Sequence, residues 1–130
     1  MTWSALTATA AQLRAGNEDI LTEDEYSDDD LAALYRDAAK AEMLLDLQQV
    51  LGSTDTTVAD DVTDANTAYM RAALSHKQLA IYYRRQDGGD GSVNRRRMEY
   101  YERLYRSDVS GFGRLVRSSG AVVRSTMIRR

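Results

Sequence analysis

The stretch YYRRQDGGDGSVNRRRMEYYERLYR, residues 82–106, decides how this chain folds. Its centre, QDGGDG, combines glycines with small polar residues, a composition that ends helices and forms turns. After the turn, Ser92 is a suitable N-cap for a helix that ends near Ser110. The apolar face of that helix is formed by Met98, Tyr101, Leu104, Tyr105 and Val109. The stretch therefore predicts two antiparallel helices joined by a glycine-rich turn.

The helix before this turn is predicted to be long. Thr57 can cap its start, with Asp60 and Asp61 in its first turn. One face repeats at helical spacing and consists of Val58, Val62, Ala65, Tyr69, Ala72, His76, Ala80 and Tyr83. At a rise of 1.5 Å per residue, such a helix would be roughly 40 Å long.

A further helix is predicted from Ser27 to Gly52. The Ser27 hydroxyl can accept a hydrogen bond from the amide of Asp30, and aspartates favour the positive start of a helix. Tyr26 and Leu31 have the spacing of a hydrophobic staple. The predicted apolar stripe is Leu31, Leu34, Ala38, Ala41 and Leu45, widened by Leu44, Leu47 and Leu51. Gly52 stands where helices commonly end.

The first part of the chain is predicted to be less regular. Residues 4–15 are expected to form a short helix with Ser4 as its cap and Gly16 after its end. Residues 17–30, NEDILTEDEYSDDD, carry eight acids and no base, which is typical of a solvated acidic loop.

Length and composition agree with this outline. The chain has 130 residues, which suits one domain, and it contains no proline. We predict an all-α fold: a small helical bundle of three main helices plus a short N-terminal helix, with an extended C-terminal arm. The bundle is expected to cover residues 1–113, with a break at GFG (111–113). The arm is residues 114–130, with five arginines and no acid.

Several function classes are disfavoured by composition. Without cysteine, the chain has no disulfide, thiolate metal site or thiol nucleophile. No stretch reaches the roughly 18 apolar residues of a membrane helix, and the N-terminus does not have the pattern of a signal peptide. We therefore expect no membrane partner.

The glycine-rich turn does not match a phosphate or calcium loop. No lysine follows Gly88 in the spacing of a phosphate-binding loop. Counted from Asp87, the third, sixth and twelfth positions are Gly89, Ser92 and Met98, where a calcium loop needs a ligand, a glycine and a glutamate.

Catalytic and metal sites are likewise not indicated. His76 is the single histidine and lies on an apolar face, so a core or interface histidine is favoured over a general base. Carboxylates four residues apart occur at Glu42/Asp46 and Asp60/Asp64, but no Glu-x-x-His accompanies them. The sequence predicts a protein that is not an enzyme and uses no cofactor or metal.

Charge is divided unevenly along the chain. Residues 1–83 carry 15 acids and 5 bases, whereas residues 84–130 carry 12 bases and 5 acids, giving −10 and +7. Nearly all the bases are arginines, whose planar guanidinium groups suit fixed contacts with carboxylates or phosphates. Such a chain can dock head to tail on copies of itself or bind an acidic partner. Alternatively, acids of the preceding helices offset Arg95, Arg96 and Arg97 inside the fold, where these cations oppose the dipole at the start of the last helix.

Nucleic acid is the alternative partner, in a DNA-packaging or regulatory subunit. Arginine beside tyrosine can follow phosphates and stack on bases. Against this, the tyrosines have the spacing of helix packing residues, and the whole chain is acidic.

Three segments resemble a known family when taken in order. They are SDDDLAALYRDAAKAEMLLDLQQVLG (27–52), LAIYYRRQDG (79–88) and SVNRRRMEYYERLYRSDV (92–109). With the acidic start and the chain length, they resemble the small helical head–tail connector, or adaptor, proteins of tailed bacteriophages. The resemblance covers roughly residues 20–115 and rests on element order and on the tyrosine and arginine pattern.

The resemblance implies a structural protein of the virion. Its copies would form a ring, commonly of twelve, docked between the portal protein and the next tail component, or stopper. DNA would pass through the lumen without specific binding, and the C-terminal segment would reach along a neighbouring protein. The family has no catalytic residues to carry over.

A ring of identical subunits needs two different, complementary faces. The acidic face is predicted from residues 17–30 and from Asp60, Asp61 and Asp64. The basic face is predicted from Arg84, Arg85, Arg95, Arg96 and Arg97. The arm would add Arg114, Arg117, Arg124, Arg129 and Arg130.

Overall fold

The computed structural model describes residues 2–52, 57–86 and 92–119, and these ranges contain seven α-helices and no strand. The helices are α1 (Ala10–Arg14), α2 (Asp28–Ala33), α3 (Arg36–Leu51), α4 (Thr57–Ala65), α5 (Thr67–Arg85), α6 (Val93–Ser110) and α7 (Phe112–Ser119). The predicted all-α bundle is confirmed.

Helix α5 is the centre of the bundle. It contacts α1, α3, α4 and α6. From Ala73 to Tyr83 every residue except His76 is buried, so this part of the helix is covered on nearly all sides. Helix α6 packs along it and buries Tyr101 and Tyr105, two of the residues predicted to form its apolar face.

The predicted start of α6 is also correct. The Ser92 hydroxyl accepts a hydrogen bond of 3.0 Å from the amide of Arg95, as an N-cap should. The amide of the Asn94 side chain donates to the carbonyl of Gln86 over 2.8 Å and so links the two helices beside their turn. Residues 87–91 of that turn lie outside the described residues.

The N-terminal helix begins later than predicted. Thr9, not Ser4, is the N-cap, and it forms a capping box with Gln12. Gly16 follows the helix with φ of 77°, a conformation that favours glycine. The irregular segment before α1 is held by Lys40, whose ammonium donates to the carbonyls of Trp3 and Ser4 over 2.6 and 3.1 Å.

The helix predicted from Ser27 to Gly52 is divided in two. Its Ser27 cap is confirmed, since the hydroxyl accepts from the amide of Asp30 over 3.1 Å. However, α2 ends at Ala33, and Tyr35 adopts the left-handed region with φ of 52° before α3 begins. Gly52 ends α3 with φ of 67°, as predicted.

This break changes which residues of α3 are buried. The core side chains are Ala39, Met43 and Leu47, all at most 1% exposed. The predicted stripe through Ala38, Ala41 and Leu45 instead faces solvent, and Leu45 is 60% exposed. Leu31 and Leu47 are buried as predicted, but the prediction was wrong for Ala38, Ala41 and Leu45, because the left-handed Tyr35 changes which side of the following helix faces the core.

The helix predicted from Thr57 is divided as well, at Asn66 between α4 and α5. The Asn66 side chain donates to the carbonyl of Val62 over 3.1 Å. The backbone amide of Asn66 donates to the same carbonyl over 3.0 Å, so the side chain adds a local bond at the end of α4. Val58 and Val62 are buried as predicted, whereas Ala65 is exposed.

Residues 112–119 form a helix where an arm was predicted from residue 114. Gly111 ends α6, and α7 then buries Phe112, Leu115 and Val116 against its neighbours. It packs on α3, α4 and α6. The predicted boundary between bundle and arm is therefore too early; residues 120–130 lie outside the described residues.

Candidate protein interface

The tyrosine pairs of the α5–α6 hairpin are packing residues. The rings of Tyr83 and Tyr101 stack with centroids 5.9 Å apart and planes within 4°. Buried Asn17 joins them, because its amide donates to the Tyr101 hydroxyl over 2.8 Å and its side-chain oxygen accepts from the Tyr83 hydroxyl. The acidic segment (residues 17–30) thus contributes Asn17 to the core, as it also does Leu21.

Burial changes the acidity of these tyrosines. Burial raises the pKa of Tyr83, and the hydrogen bond from Arg97 opposes that shift. Burial, followed by a hydrogen bond with Tyr26, raises the pKa of Tyr82 to about 12. Both hydroxyls are held in their neutral form at physiological pH.

Three of the predicted basic residues are engaged within the chain. Arg97 donates to the Tyr83 hydroxyl over 3.3 Å and lies over its ring. Arg84 forms an ion pair of 3.6 Å with Glu42, and Arg85 lies over the ring of Tyr35. Contacts of this kind orient the side chains but leave Arg84 and Arg85 largely in solvent.

Arg95 and Arg96 differ in their surroundings. The side chain of Arg95 is half-buried, whereas that of Arg96 is exposed on the outer face of α6. Arg103, which no sequence criterion singled out, is exposed on the same face, seven residues further along. The basic surface of α6 therefore extends further along the helix than predicted.

The predicted acidic residues of α4 are also not equivalent. The carboxylate of Asp60 accepts a hydrogen bond of 2.8 Å from the amide of Trp3, so it helps to hold the N-terminal segment. Asp61 and Asp64 are exposed. On α7, Arg114 and Arg117 are exposed, while Arg124, Arg129 and Arg130 lie outside the described residues.

A polar groove separates α3 from α6, and sequence analysis did not predict it. Its volume is about 410 Å³. We call it the α3–α6 groove; its lining residues are Glu42, Leu45, Asp46, Gln49, Lys77, Glu102, Tyr105, Arg106 and Val109.

Lys77 forms the floor of this groove. Its ammonium lies 3.0 Å from Glu42 of α3 and 3.5 Å from Glu102 of α6, and 4.8 Å from the centre of the Tyr105 ring. The Tyr105 hydroxyl donates to Asp46 over 2.6 Å. Burial, this hydrogen bond and the neighbouring carboxylates raise the pKa of Tyr105. The groove is thus cross-linked by polar contacts from three helices.

His76 takes part in a second link between α5 and α6. Its Nδ1 lies 2.7 Å from the carboxylate of Asp108, and the Tyr69 hydroxyl donates to the carbonyl of the same residue over 2.7 Å. Burial raises the pKa of Tyr69. The two contacts fix the end of α6 on α5, which gives His76 a structural role at the edge of the core.

Other binding chemistry is not indicated where the structure can be described. Within residues 2–52, 57–86 and 92–119, no group of three His, Asp or Glu side chains is placed to hold a metal ion. None of the helices in these ranges is long and apolar enough to cross a membrane.

Comparisons with known proteins return nothing: no family model, curated protein or solved structure matches the chain. Membership of the connector family therefore stays a prediction. The surface of the chain carries its own information on function, in its charges and its exposed side chains.

The exposed charges include two sets, and Asp37, Asp61, Asp64 and Glu99 are exposed outside them. The acidic segment exposes Glu18, Asp19, Glu23, Asp24, Glu25, Asp28, Asp29 and Asp30. A set that we call the exposed arginines consists of Arg84, Arg85, Arg96, Arg103, Arg106, Arg114 and Arg117. Among the described residues, Asp28 of the acidic segment pairs with Arg14, and Arg84 of the exposed arginines pairs with Glu42. Neither partner belongs to the other set, so no ion pair among these residues joins the two sets.

Proposed function

We propose that this protein is a non-enzymatic structural subunit that assembles with copies of itself into the head–tail connector ring of a tailed bacteriophage. In the virion the ring would lie between the portal protein and the next tail component, and DNA would pass through its lumen. The sequence resemblance supplies the biological setting. The physical support comes from the surface of the chain.

One observation carries the proposal: in the part of the chain that the structure describes, no ion pair joins the acidic segment to the exposed arginines. An exposed ion pair contributes only about 0–1 kcal/mol, so the fold does not depend on satisfying these charges internally. Complementary charged surfaces instead direct association and exclude wrong partners. A subunit with one acidic and one basic surface can bind its neighbours head to tail, which is the contact that a ring requires.

The interior supports the same function. Helix α5 is enclosed, and the α5–α6 hairpin is fixed by stacked tyrosines and by the contacts of Asp108. A body of this kind can present charged side chains in constant positions. Pre-ordered side chains reduce the entropy lost on association.

The proposal is tested by mass measurement of the purified full chain, alone and with the isolated portal ring encoded in the same genome. We expect a closed oligomer, or binding to the portal ring, that weakens as salt is raised from low to moderate ionic strength. A chain that stays monomeric at its highest soluble concentration and does not bind the portal ring would reject the proposal.

Nucleic-acid binding is the second candidate, and one observation favours it. Tyr100 is 49% exposed and lies on the outer face of α6 between Arg96 and Arg103. Aromatic and guanidinium groups in this order can stack on bases and contact phosphates. This candidate predicts binding to duplex DNA that falls steeply with salt and weakens in Arg96→Ala/Arg103→Ala. Lack of binding at low salt would remove it.

A further inference from the structure

Where side chains are described, the large apolar ones that are exposed lie on two helices. In the described part of the chain they are Leu45 and Val50 on α3, and Val93 and Tyr100 on α6, which are 60%, 43%, 53% and 49% exposed. Single exposed apolar residues are common and need no explanation. Among the described residues, however, they are restricted to the two helices on either side of the α3–α6 groove, which is not expected of scattered single residues.

Each helix also arranges these residues on one face. On α3, the exposed residues Ala38, Ala41 and Leu45 recur at i, i+3 and i+7. This set is the α3 stripe. The spacing is that of a helix surface that packs on another helix. Its two alanines leave room close to the backbone, and Leu45 projects beyond them.

The outer face of α6 has the same spacing and a different chemistry. Val93, Arg96, Tyr100 and Arg103 form what we call the α6 face, and its members are exposed or border solvent. A depression of about 450 Å³ adjoins the first three of them and is closed on its other side by Ala15 and Gly16. A leucine side chain is small enough to enter such a depression.

The charges beside the two faces are complementary. Helix α3 carries Asp37, Glu42 and Asp46 against two bases, and one of these, Lys40, is directed at backbone carbonyls of the N-terminal segment. Helix α6 carries five arginines and three acids. Packing of α3 on α3 of another copy would bring acidic flanks together, whereas packing of α3 on α6 brings acids to arginines.

We infer that the α3 stripe of one copy packs on the α6 face of the next copy, with Leu45 entering the depression beside Tyr100. This inference rests on the proposed function and identifies the contact by which the ring closes. Because the two faces differ, the contact is heterologous and repeats from copy to copy. The apolar side chains supply the burial. Arg96 and Arg103 attract the exposed carboxylate of Asp37 and the partly exposed carboxylate of Glu42, which Lys77 and Arg84 already neutralise in part.

The absence of natural cysteine allows a direct test by disulfide trapping. Leu45→Cys and Tyr100→Cys are prepared as separate variants, mixed, and oxidised under mild conditions, alone and on the portal ring. We expect the mixture to form covalent dimers at least roughly tenfold faster than either variant alone, because a specific contact raises the effective concentration of the two thiols. A chain that carries both substitutions should give a ladder of larger covalent oligomers.

Ala65→Cys is the matched control, because Ala65 is exposed on α4, a helix that packs on α5 and α7 and belongs to neither face. Mixed with Tyr100→Cys, it should cross-link only at the rate of random collision. Dimers from Leu45→Cys alone at the rate of the mixture would show an α3–α3 contact and overturn the inference. Equal rates for the control mixture and the test mixture would overturn it too.

Mass measurement of the unsubstituted chain separates this inference from the proposed function. If the chain forms a ring or binds the portal protein but Leu45→Cys and Tyr100→Cys do not cross-link, the inferred contact is wrong and the proposed function stands. If the chain neither oligomerises nor binds the portal ring, the proposed function fails and the inference fails with it.

Discussion

The side-chain amide of Gln78 on α5 donates a 2.7 Å hydrogen bond to the carbonyl oxygen of Leu34, where α2 ends. The same amide reaches the carbonyl of Ala32 over 3.3 Å. Carbonyls at the end of a helix have no partner within that helix, so a buried amide from a neighbouring element replaces the missing donor. The break between α2 and α3 is thus stabilised by the central helix.

Replacement of Gln78 by methionine should therefore lower the free energy of unfolding by about 1–3 kcal/mol, because two carbonyls lose a buried donor. Denaturant unfolding followed by circular dichroism measures the change. Gln49→Ala is the control, since Gln49 is exposed, and it should stay within about 0.5 kcal/mol of the parent. Equal stabilities for the two variants would contradict this role of Gln78.

Two leucines two positions apart test which side of α3 faces the core. Leu47 is 1% exposed and Leu45 is 60% exposed. Leu47→Ala should cost about 2–5 kcal/mol in unfolding free energy, as for other buried leucines, whereas Leu45→Ala should cost less than about 1 kcal/mol in the isolated chain. Thermal and urea unfolding at low protein concentration distinguish them. The reverse order would mean that the helix is continuous through Tyr35.

Gly111 allows a close approach between the end of α6 and Tyr69. A β-carbon at this position would collide with the Tyr69 hydroxyl, which donates to the carbonyl of Asp108. Gly111→Ala should therefore destabilise the protein by about 1–3 kcal/mol.

The same collision predicts coupling between the two positions. In the double variant Tyr69→Phe/Gly111→Ala, the loss should be smaller than the sum of the two single losses, because the hydroxyl that causes the collision is gone. Urea unfolding of the four proteins in the cycle gives the coupling. Strict additivity would show that Gly111 is required for another reason.

Alkaline pH should destabilise the protein through its buried tyrosines. The pKa of Tyr82 is raised from 10.0 to about 12 in the folded state. The stability that this neutral hydroxyl contributes is complete below pH 10 and is lost as pH rises through the folded pKa, so the free energy of unfolding should fall between about pH 10 and 12. Raised pKa values of Tyr69, Tyr83 and Tyr105 act in the same direction.

Denaturant unfolding at a series of pH values measures this loss, and absorbance at the tyrosinate band reports ionisation directly. Tyr82→Phe should flatten the alkaline decrease. Titration of all eight tyrosines of the folded protein as one group near pH 10 would contradict the prediction.

Local signals were read correctly from the sequence. The caps at Ser27 and Ser92 depend on residues within one turn, and both hydrogen bonds are present. The break at Tyr35 could not be predicted, because the amide that stabilises it comes from Gln78, 44 residues after Leu34. The capping box of Thr9 and Gln12 was visible in the sequence and would have placed α1 correctly.

Tertiary packing explains the other differences. Residues 112–119 contain few apolar residues, yet Phe112, Leu115 and Val116 fall on one side of a helix and are buried once α3 and α4 are in place. In the candidate interface, the sequence shows which residues carry charge, but it does not show which of them form contacts within the folded chain. Arg97 turns towards Tyr83, and Lys77 is enclosed by acids from two other helices, because those partners come together only in the folded chain.

The chain has only two lysines, and both are occupied by the fold: Lys40 binds carbonyls of the N-terminal segment, and Lys77 forms the floor of the α3–α6 groove. Burial, together with the nearby Arg36, lowers the pKa of Lys40. Because the chain has only these two lysines and both are held by contacts of the fold, amine-directed reagents, such as acylating labels, have few side-chain targets on this protein. The lowered pKa itself favours the neutral, reactive amine at Lys40. The cationic surface consists of guanidinium groups, which keep their charge well beyond neutral pH. Its capacity to attract carboxylates should consequently persist under mildly basic conditions in which an ammonium surface would begin to discharge.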